Sequence, residues 1–236
     1  MTDQSVSYLR MIRGEEHEPK WRRLPEERPQ QILEAAIEIF GDQGLANARL
    51  EDIAKRAGVS KGTIYLYFPN KEALFKEMIR QTVVAELERT ELDLVNDGER
   101  TATAQVTVFM RWWWNLMLRP DYQRIHRLVV GELQRFPELV EFFWREVILR
   151  RQLLLDRLIQ RGIDSGEFRQ VDPTTAGRII SSVFSAHALW SCTRFYAKHA
   201  LTDDIVFDQV MDFFFHSVAP LAPAVRTNTA TAHAGS

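Results

Sequence analysis

Over residues 31–40 the apolar positions Ile32, Ala35, Ala36, Ile39 and Phe40 return at steps of three and four, the period of one helix face. Gly41 and Gly44 follow where that helix must stop. Leu50, Ile53, Ala54 and Ala57 repeat the period over a shorter stretch and predict a second helix. Gly58 can end it in the left-handed conformation, Ser60 can cap a third helix, and Pro69 closes that one after about two turns. A fourth opens at Asn70, with Glu72 set against the positive end of its dipole. Its apolar series Leu74, Met78, Val83, Leu87 and Leu92 or Leu94 runs on until Asn96, Asp97 and Gly98 break it. Turn residues at Arg119-Pro120, Phe136-Pro137, Ser165-Gly166, Asp172-Pro173 and Leu201-Thr202-Asp203 divide the rest into helices near 101–118, 121–135, 137–162, 173–199 and 203–218. No sustained alternation flanked by hairpin signals occurs. The predicted fold class is all-α, with about nine helices.

The fourth helix sets the domain organisation. The three helices before it enclose one small core, an amino-terminal domain over 25–72, and residues 73–220 form a larger helical domain. A helix that belongs to both is expected to act as a lever between them. Residues 1–24 are expected to be a disordered basic arm; its Lys20, Arg22 and Arg23 could reach a minor groove or phosphates, and a plain disordered leader is the favoured reading of the two. The Ala-, Thr- and Pro-rich stretch 221–236 is expected to be a disordered tail.

The stretch GVSKGTIYLYF, residues 58–68, carries the chemistry. Ile64 and Phe68 lie four apart and can bury together, which turns Gly62, Thr63, Tyr65 and Leu66 away from the core. That face suits water poorly. Gly62 costs roughly 1 kcal/mol in a helix interior relative to Ala, and an outward leucine beside tyrosines gains nothing from solvent. It suits a nucleic-acid groove instead. A glycine lets backbones approach, Ser60, Lys61 and Tyr67 are placed for phosphates, and Thr63, Tyr65 and Leu66 are left for base edges. Helices two and three with the turn at Gly58 thus read as a helix-turn-helix.

The series RPQQILEAAIEIFGDQGLANARLEDIAKRAGVSKGTIYLYFPNKEALFKEMI, residues 28–79, resembles the amino-terminal domain of TetR-family transcriptional regulators. The A-A-x-x-x-F helix, the glycine corner, D-I-A, G-V-S-K-G-T-x-Y-x-Y-F and N-K-E-A-L-F stand in that family's order and spacing. The resemblance implies a homodimer on double-stranded DNA, with a small-molecule effector bound in the second domain. A twofold dimer presents two reading helices and prefers a palindromic operator. Arg49 departs from the family, which usually has Thr or Ser there; it can hold a phosphate but cannot cap the helix behind it. With Lys71 it completes the expected DNA-binding set. In the family the last two helices of each subunit form a four-helix interface, which places Ala188, Ser191, Phe213 and Phe214 at the expected dimer contact.

The second domain is rich in aromatic residues, among them Trp112, Trp113, Trp114, Phe142, Phe143, Trp144, Phe184, Trp190, Phe195 and Tyr196. Three consecutive tryptophans spread over about 200° of a helix, so at least one is expected to face a partner or a pocket. Aromatic walls with a few polar groups are typical of small-molecule cavities. The candidates are Trp112, Trp113, His126, Phe143, Arg178, Phe184 and His187, and ordinary core packing is the competing reading for each. Phe213, Phe214 and Phe215 likewise exceed what one buried stripe can hide.

Composition narrows the class. With 236 residues, 45% of them hydrophobic, the chain can bury a sizeable core. Its net charge is −2, yet residues 49–76 hold six Lys or Arg against three acids, so the basic face is local. A solvated helical face would carry the same charges. The single Cys192 excludes an internal disulfide framework. His17, His126, His187, His199, His216 and His233 show no metal-ligand spacing, and no cofactor is called for. No apolar run nears the roughly 18 residues of a membrane span, and no signal peptide opens the chain, so a cytoplasmic location is expected. No H-E-x-x-H, P-loop, dinucleotide glycine series or G-x-S-x-G occurs. The expectation is a repressor released by a small hydrophobic or amphipathic ligand, not an enzyme. Two alternatives differ only in the second domain: a surface for a protein partner with no cavity, or a helical enzyme joined to a DNA reader.

Overall fold

The structure, a computed structural model, describes residues 27–191 and 202–220, which form helices and no strand. In chain order these are α1 (Glu27–Asn47), α2 (Leu50–Arg56), α3 (Lys61–Tyr67) and α4, which runs Lys71–Ile79, then Arg80–Val84 as a π-turn, then Ala85–Asn96. There follow α5 (Ala102–Leu118), α6 (Pro120–Glu132, with a 3₁₀ turn Leu133–Arg135), α7 (Pro137–Phe143, a π-turn Trp144–Leu149, then Arg150–Asp164), α8 (Pro173–Ser191) and α9 (Asp203–Val218). Cys192, Phe195, Tyr196, His17, His199 and His233 lie outside the described residues, as do the expected arm and tail. Among the described residues no helix is long and apolar enough to cross a membrane, and no group of three His, Cys, Asp or Glu is placed to hold a metal ion.

Helices α1 to α3 close around Ile32, Ala36, Phe40, Leu45, Ile53 and Ile64, and the first turns of α4 complete that core with Leu74, Phe75 and Met78. Gly44, at φ +77°, takes α1 out of helical geometry. A Cβ there would overlap the Glu132 carboxylate of α6, which accepts the Ala46 N–H at 3.4 Å. From the other side the Lys71 ammonium donates to the carbonyls of Ala46 and Ala48 at 2.7 and 3.5 Å. Lys71, expected on DNA, therefore spends two of its three donors on the corner that leads into α2. That corner precedes Arg49, whose side chain makes no capping bond, as its chemistry requires.

Two routes join helices α1 to α3 to the rest. One is α4. Its second half is clamped by Arg119, which reaches Glu86 and Asp121 at 2.5 Å each, and by Arg150, which pairs with Glu88 at 2.7 Å. The other is the packing of α1 along α6, where Gly41 lets the Arg124 side chain approach so closely that a Cβ would stand 3.2 Å from it. Nothing in the helical period of α1 announces this second contact.

α5 lies at the centre, packed by α4, α6, α7, α8 and α9. This enclosure corrects the expectation that three adjacent tryptophans overflow a core. Trp113 and Trp114 are both buried, and Trp112 is half-buried against Phe109, ring centres 5.6 Å apart. Trp114 stacks on His187 at 4.7 Å and packs at a tilt against Phe184 at 4.8 Å and Phe207 at 5.9 Å. Phe184 and His187, expected at a ligand cavity, are thus core rings of that stack, and Phe143 is buried as well.

The same geometry corrects the expected dimer residues. Phe184, His187 and Ala188 share the stripe that α8 turns inward, so Ala188 is buried, as is Phe214 on α9. Ser191 is half-buried, its hydroxyl bonded to the Ala188 carbonyl at 3.1 Å. The exposed apolar side chains on these helices are Ile179, Val183, Trp190, Ile205 and Phe213, the last 76% exposed. Phe215 stacks on Phe168 at 6.1 Å. One phenylalanine of the three is therefore left outside.

Candidate functional site

The helix-turn-helix is built by local chemistry. Leu50, Ile53 and Ala54 bury one face of α2, and Gly58 at φ +68° turns the chain without a Cβ clash. Ser60 then caps α3: its Oγ accepts the Thr63 N–H at 3.0 Å and lies 2.8 Å from the Thr63 hydroxyl. Asn70 caps α4 in the same way, accepting the Ala73 N–H at 2.7 Å. Ile64 and Phe68 are buried, as their spacing predicts. Tyr67 is a correction. It sits three residues after Ile64 on the same stripe, is 5% exposed, and its hydroxyl is enclosed with no hydrogen-bond partner among the described residues, so it does not present that group to a phosphate.

The outer face of α3 holds Lys61, Gly62, Tyr65 and Leu66, with Thr63 at its edge. Leu66 is 71% exposed. A Cβ on Gly62 would meet nothing nearer than the Ser60 Oγ at 3.8 Å, so no internal contact requires a glycine there. Sequence reasoning missed Glu51. This first-turn residue of α2 pairs with the Lys61 ammonium at 2.7 Å and accepts the Tyr65 hydroxyl at 3.2 Å. The Lys61 contact holds the Glu51 carboxyl below its ordinary value, and Glu51 raises Lys61 in turn. The free protein thus sets its own carboxylate where a phosphate would compete for Lys61.

In the second domain a cavity of about 310 Å³ opens between α7 and α8. Trp144, Ile148 and Leu149 of the α7 π-turn form one wall, Arg178 and Ser181 of α8 another, and Arg151 and Gln152 join them. Of the residues expected at a ligand cavity, Arg178 is on this lining. Trp113 stands behind Arg151, its ring centre 4.6 Å from the guanidinium carbon. Tyr122 meets Trp113 edge-on at 5.7 Å and stacks with His126 at 6.2 Å. Burial pushes the His126 imidazole below its ordinary value and the Tyr122 hydroxyl well above its own. Arg151 itself was missed, although RRQLLLDRL puts it in phase with Leu154, Leu155 and Leu158.

The cavity wall reaches α4 through one more contact. The π-turn of α7 packs on the π-turn of α4, and just before these Phe142 lies under Arg80 and Lys76 of α4 at 5.1 and 5.7 Å. Such turns interrupt regular helical bonding and are frequent at functional positions.

A family model described as bacterial regulatory proteins of the tetR family matches residues 32–78, and one described as the C-terminal domain of AefR-like transcriptional repressors matches residues 97–215. The chain is 29% identical over 152 residues to the fatty acid metabolism regulator protein of Bacillus subtilis, covering 62% of this chain and 75% of that one. It is 29% identical over 205 residues to the transcriptional regulator RutR of Escherichia coli, covering 77% of this chain and 84% of the relative. The solved structure of FadR from Bacillus subtilis in complex with stearoyl-CoA has the same fold, with a TM-score of 0.67 at 24% identity over 80% of this chain and 98% of that one.

Proposed function

Since the chain belongs to the TetR family and is a DNA-binding transcriptional regulator, we propose that it is a repressor that binds a palindromic operator as a homodimer and leaves it when a small amphipathic ligand binds. Its relatives are regulators, not enzymes, so the enzyme alternative falls away. The observation that carries the ligand-release reading is the path from cavity to α4. The side chains that would touch a ligand belong to the α7 π-turn, and that turn rests on the π-turn of the helix that enters the DNA-reading core. A ligand that prefers one arrangement of this pair shifts α4, and with it the spacing of two α3 helices in a dimer. The ligand must favour the released form by the same factor that DNA affinity falls. The matched repressor family and a neighbour holding stearoyl-CoA agree with a ligand-responsive repressor. The exposed row of Ile179, Val183, Trp190 and Phe213 supports the homodimer.

On DNA, α3 is assigned the major groove, with Arg49, Ser60 and Lys61 on phosphates and Gly62, Thr63, Tyr65 and Leu66 toward bases. Lys61→Ala is expected to weaken binding to all sequences alike and to lower the slope of log affinity against log salt by about one. Fluorescence anisotropy at several salt concentrations measures this, and an unchanged slope removes Lys61 from the phosphate set. The release mechanism is tested on sequences selected from random DNA. Amphipathic compounds that raise the melting temperature of the free protein are expected to lower its affinity for the selected DNA. Compounds that stabilise the protein and leave DNA affinity untouched would contradict ligand release. If no compound stabilises it, the protein-partner alternative gains.

A further inference from the structure

Arg151 is 5% exposed and lies on a buried helix stripe between leucines. Its Nη1 donates to the Ser181 hydroxyl at 2.7 Å, and its guanidinium stacks on Trp113. Among the described residues it makes no ion pair. The nearby Asp156 accepts from Gln152 at 2.6 Å and from the Thr174 hydroxyl at 2.7 Å instead. The Arg151 Nε–H and the Trp113 indole N–H are both buried without a partner among the described residues. A buried cation whose hydrogen-bonded partner is neutral is costly to keep, and two neighbouring donors without acceptors add to that cost. The cation itself lines the cavity, and the kind of ligand that would pair with it there is an anion with acceptor oxygens. Arg151 lines the cavity whose other wall is apolar, so the same molecule needs a hydrocarbon part.

We infer that the cavity between α7 and α8 takes an amphipathic carboxylate, its oxygens accepting from Arg151 and its chain lying against Trp144, Ile148 and Leu149. The inference names the ligand class of the proposed ligand-released regulator and rests on that reading for its effect on DNA, though not for binding itself. A neutral alcohol leaves the guanidinium unpaired, and a quaternary ammonium of equal chain length meets like charge. The Arg178 side chain, also on the lining, adds to the preference for an anion.

Isothermal titration of the full chain with decanoate, decanol, decyl phosphate and decyltrimethylammonium tests this directly. Decanoate is expected to bind at least tenfold more tightly than decanol and more tightly than decyl phosphate, with the ammonium not binding. Arg151→Met keeps the length and apolar volume of the stem, is expected to melt no lower than the native chain because it removes an unpaired buried charge, and is expected to lose the tenfold preference. Arg151→Lys, which keeps the charge, is expected to retain a preference for decanoate. No binding of decanoate, equal binding of decanoate and decanol, tighter binding of decyl phosphate, or an unchanged preference in Arg151→Met overturns the assignment. The same ligands are then added to the complex with selected DNA. Decanoate that binds without displacing DNA sinks ligand release and leaves the carboxylate site standing. Release by uncharged amphiphiles when decanoate does not bind does the reverse.

Discussion

Gly62→Glu is expected to make the protein more stable and abolish most of its DNA binding. The substitution replaces the poorest helix former short of proline with a good one, worth roughly 1 kcal/mol, and puts a negative charge in the first turn of α3, where the helix dipole favours it. Among the described residues a Cβ at Gly62 meets only the Ser60 Oγ, at 3.8 Å, so the backbone has room for a side chain. On this balance the melting temperature rises by about 2–4 °C. On DNA the same side chain adds bulk where the backbone is proposed to approach the groove, and adds an anion beside phosphates. Affinity for selected DNA is expected to fall at least about 100-fold, roughly 3 kcal/mol. Differential scanning calorimetry and anisotropy on one preparation decide the matter. Stability gained with affinity retained would mean that α3 does not enter a groove through this face.

Phe213→Glu is expected to give a folded monomer that no longer binds operator DNA specifically. Phe213 is 76% exposed, so its replacement removes no core packing. In the proposed dimer it stands with Ile179 and Val183 on an apolar face, and a carboxylate there must be desolvated against apolar neighbours. A single reading helix contacts too few base pairs for selectivity, so loss of the dimer is expected to lower specific affinity by about 100-fold or more, toward the non-specific level. Sedimentation at micromolar concentration reads the assembly and anisotropy reads the binding. A dimer that survives the substitution moves the interface elsewhere. A monomer that binds as before removes the need for twofold symmetry.

The local geometry of the helix-turn-helix was legible in the sequence because its signals are short-range. Ser60 caps whatever helix begins at Lys61, and Gly58 turns wherever a left-handed residue is needed, so neither depends on the rest of the molecule. Tyr67 escaped the same reasoning. Its period allowed two assignments, beside Ile64 or out toward DNA, and only the packing of α3 on its neighbours chose the first. Lys71 was drawn to the Ala46 and Ala48 carbonyls by a corner it meets only in space. The ligand and dimer candidates fared worse for a related reason. Aromatic residues at successive positions say that several surfaces are apolar, but not which surface faces the core, and the enclosure of α5 on all sides hid two tryptophans that a one-sided helix would have shown.

The sequence alone determined the all-α fold, the positions of the helix breaks, the helix-turn-helix and its family, because periodicity, capping and turn chemistry act within a few residues. Tertiary structure decided which face of α8 and α9 stays outside, that Glu51 holds Lys61, that α1 leans on α6, and that Arg151 faces a cavity and makes no ion pair among the described residues. Those facts depend on which helices become neighbours. That is set by the burial of whole faces against one another, and no local pattern specifies the partner.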